Sequence, residues 1–155
     1  MQSTTVASFP AWQQSVILED GDVAIATFAS NIPTQVMHVY NGSINTGENA
    51  IIGGYGQDES GYADANRLKG GNVTISNVSN YGLAIHYQGG SGANTCFGDS
   101  GGPLFVQRSN EWVLAAVTSN GERDDCGLGD NSNFARVDKS AVRSWINSIV
   151  PGLVP

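Results

Sequence analysis

Apolar positions along this chain fall in short, often alternating stretches rather than in long helical periods. They occupy residues 23–29, 35–40, 50–54, 73–78, 83–87, 103–107, 112–119 and 133–137, bounded by Gly, Asn, Ser and Asp. Alternation with period two buries one face of an extended strand, and the bounding residues are those that turn a chain, so eight short strands are predicted. Short strands in that number imply a barrel or a sandwich. One segment differs: Val142, Trp145, Ile146 and Ile149 recur at i, i+3, i+4 and i+7, the period of a helix with one apolar face. Asp138 is the expected N-cap and Pro151-Gly152 the stop. A terminal amphipathic helix is therefore expected to dock its tryptophan face on the β body. Residues 41–49 and 56–71 read as loops rather than interdomain linkers, because apolar strands resume directly after each.

Composition narrows the picture. The 155 residues suffice for one core of ordinary size, and 20 glycines with only 14% charged residues fit a turn-rich β protein. Fourteen acidic against seven basic residues give a net charge of −7, and the bases (Arg67, Lys69, Arg108, Arg123, Arg136, Lys139, Arg143) are scattered. Nucleic acid and anionic membrane are thus excluded as expected partners. No uninterrupted apolar run approaches the ~18 residues that a membrane-spanning helix needs. The first ten residues lack the basic and apolar regions of a secretory leader, which leaves either a cytoplasmic chain or a piece of a longer one. Cys96 and Cys126 are too few for a CxxC metal site, His38 and His86 add no ligand spacing, and Asp124, Asp125 and Asp130 fit no calcium loop and read as solvated acidic surface. No metal or cofactor is expected. If paired, the two cysteines would close a loop of 30 positions, worth roughly 3–4 kcal/mol on the chain-entropy estimate, and would need an oxidising compartment. Asn41, Asn72 and Asn77 each have Ser or Thr two positions on, a glycosylation-type triplet compatible with export.

Chemistry concentrates at residues 94–104, which read NTCFGDSGGPL. Gly98, Gly101 and Gly102 around Asp99 and Ser100, followed by Pro103, cannot form the interior of a strand or helix. The segment is a shaped turn that presents a serine. A serine hydroxyl is a poor nucleophile until a base takes its proton, and the oxyanion it generates needs backbone N–H groups aimed at it. Gly98 supplies backbone with no side chain in the way. The formal match to GxSxG does not make an α/β-hydrolase, because that fold places its histidine after the serine and none follows Ser100.

CFGDSGGPL at residues 96–104 resembles the nucleophile segment of the chymotrypsin/trypsin-like serine endopeptidases. DVAIA at 22–26 resembles the segment that carries the family's catalytic aspartate, GGYG at 53–56 the turn early in its second barrel, and VTSNG at 117–121 the strand that binds substrate backbone. Residues 133–137 with the Trp145-Ile146 helix resemble its C-terminal end, and the likeness runs over residues 22–150. It implies an all-β fold: the second six-stranded antiparallel barrel of that architecture with a C-terminal α-helix in residues 46–155, and remnant strands of the first barrel plus the crossover in residues 1–45. It also implies a secreted, extracellular or periplasmic endopeptidase acting on peptide or protein substrates. Ser100 would attack the scissile carbonyl, the N–H groups of Gly98 and Ser100 would form the oxyanion hole, and Asp22 would orient the catalytic histidine. Asp99 would pair with a newly cleaved N-terminal amine, Asn94 would floor the primary specificity pocket, and Phe97, Ser119 and Gly121 would line the cleft. Cys126 sits where the partner of Cys96 is expected. Cleavage after Lys or Arg relies on a buried carboxylate at the pocket floor, so an amide at Asn94 implies weak Lys/Arg preference.

The general base departs from the pattern. In the triad template the histidine precedes the aspartate by roughly 45 positions, whereas Asp22 has 21 residues ahead of it and none is His. His38 and His86 match no such context and read as structural or surface residues. The expectation is therefore a C-terminal portion of a serine endopeptidase, inactive alone, whose histidine belongs to an upstream segment. The alternative is a non-catalytic pseudoprotease or protein-binding module. Ser100, Gly98, Asp99 and Asp22 together argue against it, since binding alone has no physical need for that set.

Overall fold

The computed structural model describes residues 4–14, 19–58, 60–64 and 66–154. In chain order its strands are β1 (Thr5–Ser8), β2 (Ala24–Thr27), β3 (Asn49–Gly54), β4 (Lys69–Val78), β5 (Gly82–His86), β6 (Pro103–Arg108), β7 (Glu111–Gly121) and β8 (Asn131–Arg136), with one α-helix, α1 (Ser140–Ile149). β3 to β8 close into an antiparallel barrel in the order β3-β4-β5-β8-β7-β6, with β6 returning to β3 through Ala50↔Val106, Ile51↔Phe105 and Ile52↔Leu104. Closure removes the free edges that a six-stranded sheet would otherwise expose.

Alternation decides what points inward. Ala50 and Ile52 of β3, Val73 and Ile75 of β4, Leu83 and Ile85 of β5, and Leu104 and Val106 of β6 are all buried, and Phe134 of β8 is the largest fully buried side chain among the described residues. A second cluster joins the barrel to the rest of the chain. Val23 and Val39 pack with Ala135, Val137 and Val154 and with Val142 and Ile146 of α1. The tryptophan face of α1 does meet the body: Trp145 lies edge-on to Phe9, ring centroids 5.5 Å apart. Lys139 and Asp20 form an ion pair at 2.8 Å beside it.

Several local expectations change. The stretch 35–40 forms no strand; Val39 alone makes an isolated bridge to Leu114, and Val36 is exposed. The crossing segment reaches β7 just before the pairing with β8 begins at Ala116: the Tyr40 N–H donates to the Leu114 carbonyl at 2.8 Å and the Leu114 N–H to the His38 carbonyl at 2.9 Å, a contact limited to this one bridge. The unpredicted β1 pairs with β2 as a separate two-stranded sheet. The residue capping α1 is Lys139, in extended conformation, rather than Asp138. Asp138 is buried and holds the Arg136 guanidinium through both carboxylate oxygens, at 2.9 and 2.6 Å, and so is committed elsewhere. No described helix is long and apolar enough to cross a membrane.

Candidate active site

The turn before β6 is built by its glycines and by Asp99. Gly98 has φ +93°, and a Cβ there would lie 3.1 Å from the Gly56 Cα, so both backbone conformation and space demand glycine. Inside the turn the Asp99 N–H donates to the Cys96 carbonyl at 3.0 Å, the Gly101 N–H to Thr118 at 2.9 Å and the Gly102 N–H to Asp99 at 2.8 Å. The N–H groups of Phe97, Gly98 and Ser100 donate to no backbone carbonyl among the described residues. Ser100 itself is exposed. The turn thus displays a hydroxyl flanked by unclaimed backbone donors.

Asp99 locks this arrangement from behind. Its Oδ1 accepts the Gly56 N–H at 2.8 Å and its Oδ2 the Cys96 N–H at 2.9 Å. A Cβ on Gly54 would lie 2.0 Å from Asp99 Oδ1, so the GGYG turn is glycine-rich because the carboxylate packs directly on it. Lys69 Nζ donates to the Gly56 carbonyl. Cys96 and Cys126 are joined in a disulfide.

A cleft of about 250 Å³ opens beside the turn, with Ser100, Phe97, Ser119, Gly121 and both cysteines among its lining residues. Asp22, which the chain places 97 positions before Ser119, reaches the same wall: Ser119 Oγ donates to Asp22 Oδ2 at 2.8 Å. Asn120 Nδ2 approaches the same hydroxyl at 3.3 Å and Asn133 Nδ2 donates to Asn120 Oδ1 at 3.0 Å, which braces the strand end. Four of the residues expected at the cleft therefore share one cavity, and Asp22 adjoins it. Neither histidine does. His38 is exposed on the crossing segment, and His86 is exposed with its Nδ1 2.8 Å from Asn131 Oδ1.

Asn94 lines not the cleft but an adjoining cavity of about 760 Å³, which Asp99 and Lys69 also line. Its amide is fully engaged. Nδ2 donates to the Cys126 carbonyl at 3.0 Å and to Asp130 Oδ2 at 2.8 Å, and Oδ1 accepts from Ser132 Oγ at 2.6 Å. Ser132 in turn accepts from the Thr95 hydroxyl at 2.6 Å. The chain of hydrogen bonds Thr95 to Ser132 to Asn94 to Asp130 runs in one direction and ends on a carboxylate that is 0% exposed.

Asp130 is the residue that sequence reasoning missed. Rather than belonging to a solvated acidic surface, it also accepts the N–H groups of Glu122 at 3.0 Å and Arg123 at 2.9 Å. A Gly-Asp-Asn run carries the signal of an exposed turn, and only the fold brings these donors around it. Asp125, by contrast, is exposed, and the hydrogen bonds from the Arg123 guanidinium hold its carboxyl down at about 2.

A closed six-stranded antiparallel barrel with one C-terminal helix and a glycine-framed serine turn is a chymotrypsin-like architecture. The family model described as Trypsin matches residues 2–146, and the chain belongs to that family. Serine protease 28 of Mus musculus is 46% identical to it over 59 residues, a stretch that covers 38% of this chain and 20% of that relative. The match thus spans about a fifth of that relative's length.

Proposed function

We propose that this chain is the nucleophile-bearing part of a secreted serine endopeptidase, and that Ser100 is its nucleophile. The observation that carries the reading is the exposed Ser100 hydroxyl beside the unclaimed N–H groups of Gly98 and Ser100, in a cleft whose far wall is tied to Asp22 through Ser119. Ser100 Oγ adds to the scissile carbonyl carbon while an imidazole removes its proton. The tetrahedral oxyanion accepts from the two N–H groups, and the C–N bond breaks as the imidazolium protonates the departing amine. Water then releases the acyl group by the reverse proton path. Asp22 holds the imidazole in the productive tautomer and stabilises its charged form.

The imidazole comes from a segment other than those carrying His38 and His86, so the 155 residues alone are inactive. Asp99 serves the turn by fixing the backbone of Gly56 and Cys96, and an N-terminal amine reaching the same cavity would add an ion pair to that lock. Asn94, with every hydrogen-bonding group committed, offers no compensating charge to a Lys or Arg side chain, which supports weak preference for either. The test is labelling with a fluorophosphonate probe. The chain alone is expected to stay unlabelled, and a chain extended by a first-barrel segment bearing a histidine is expected to label at Ser100. That labelling should disappear in Ser100→Ala and drop steeply in Asp22→Asn. An extended, folded chain that fails to label would refute the protease reading, and robust labelling of the 155 residues alone would refute the missing-base reading.

A further inference from the structure

The three Asn-x-Ser/Thr triplets play no part in the chemistry above, and two of them lie together on the outer face of the barrel. We propose that Asn72 and Asn77 of β4 are sites of N-linked glycosylation. Strict alternation along β4 turns Asn72, Thr74 and Ser76 outward and Val73 and Ile75 inward, and would carry position 77 into the core. Instead the β4–β5 ladder shifts register between Ile75 and Asn77, so that Ser76 and Asn77 are both exposed and Val78 packs against the core. An extra residue of this kind re-aims the side chains that follow it. The irregularity therefore places a second asparagine on the face already occupied by Asn72, about 15 Å further along the strand at ~3.3 Å per residue.

The polar contacts separate these asparagines from the structural ones. Neither the Asn72 nor the Asn77 amide is hydrogen-bonded to another described residue, and both are exposed. Asn94, Asn120, Asn131, Asn133 and Asn147 are all engaged in side-chain hydrogen bonds, and none has Ser or Thr two positions on. Asn41 is exposed too, but its carbonyl accepts from Arg143 of α1 at 2.9 Å and its surroundings are already occupied, so the assignment is confined to β4. The co-substrate is a lipid-pyrophosphate-linked oligosaccharide. Each asparagine amide nitrogen bonds to the anomeric carbon, the bond from that carbon to pyrophosphate oxygen breaks, the amide gives up one proton, and the lipid pyrophosphate departs. The glycans would stand on the outward face of β4, and its core side would be untouched.

The proposal goes beyond the proteolytic reading and does not depend on Ser100. The full chain, secreted with an added leader from a eukaryotic host with intact glycosylation, is digested with an amide-cleaving N-glycosidase in heavy-oxygen water and its peptides are mapped. Label is expected at positions 72 and 77, with one step of gel mobility lost in Asn72→Gln, one in Asn77→Gln and both in the double variant. Thr74→Ala is expected to remove the first glycan while leaving its asparagine in place. A secreted chain with its disulfide closed and both asparagines bare would overturn the proposal, and label at one position alone would overturn it for the other. The Ser100→Ala variant is expected to carry the same glycans, which keeps this outcome separate from the fate of the protease reading.

Discussion

Replacing Asp130 tests whether the buried carboxylate organises the region behind the cleft. Three N–H donors meet it: Glu122 and Arg123 on Oδ1, Asn94 on Oδ2. Bonds to a charged acceptor contribute about 1.5–3 kcal/mol each, and together they offset a burial cost of several kcal/mol. In Asp130→Asn one amide oxygen can still accept from Glu122 and Arg123, but the new NH₂ then faces Asn94 Nδ2, donor against donor. Flipping Asn94 does not repair this, because its oxygen would turn toward the Cys126 carbonyl that its Nδ2 now serves. The unsatisfied donor is expected to cost about 1–3 kcal/mol. In an Asn94→Ala background the opposing donor is gone, and Asp130→Asn should cost at least about 1 kcal/mol less. The assay is urea unfolding followed by tryptophan fluorescence with the disulfide intact, comparing midpoints at constant slope across the four proteins of the cycle. Equal costs of Asp130→Asn in the two backgrounds, within about 0.5 kcal/mol, would refute the argument that Asn94 and Asp130 act as one unit.

Two further outcomes follow from other parts of the fold. Paired Ser substitutions at Cys96 and Cys126 release a 30-position loop and are expected to lower stability by roughly 3–4 kcal/mol on the chain-entropy model, measured as the same urea midpoint; no change on opening the disulfide would contradict that account. Asp125, held at about 2 by the Arg123 guanidinium, favours the folded state above its unfolded pKa of about 3.9, and that small contribution is lost as pH falls through about 2. Its carboxyl carbon should titrate by NMR near that lower value and move up toward the ordinary range in Arg123→Gln; an unchanged midpoint would remove Arg123 as the cause.

The barrel was legible because each strand's buried face follows from alternation that needs no distant partner: Leu104 and Val106, or Leu83 and Ile85, identify their own inward side. The terminal helix was legible for the same reason, since Val142 and Ile146 fall one turn apart. Where expectation failed, a specific partner overrode the local pattern. The 35–40 stretch has strand-like residues, but it meets β7 only at Leu114, in the short span that β8 leaves open. Asp138 has the chemistry of an N-cap, but Arg136 two residues earlier claims both of its oxygens. β1 carries too little apolar character to announce itself and exists through its ladder with β2.

The candidate site divides along the same line. Ser100 was readable because its turn requires glycines at fixed positions, a demand that backbone geometry writes directly into the sequence. Asp22 became readable only through resemblance; on its own it is one acid among fourteen, and its hydrogen bond to Ser119 depends on how the N-terminal segment folds back over β7. Asp130 was misread because a charge flanked by Gly and Asn looks solvated. Its burial depends on the ends of two strands and the disulfide-linked loop converging on one point. Local geometry therefore encodes the serine turn, whereas the surroundings of the cleft are encoded in long-range convergence. A substitution at Asp130 or Asn94 should accordingly alter the pocket while leaving the Gly98 to Gly102 turn, with its own internal hydrogen bonds, in place.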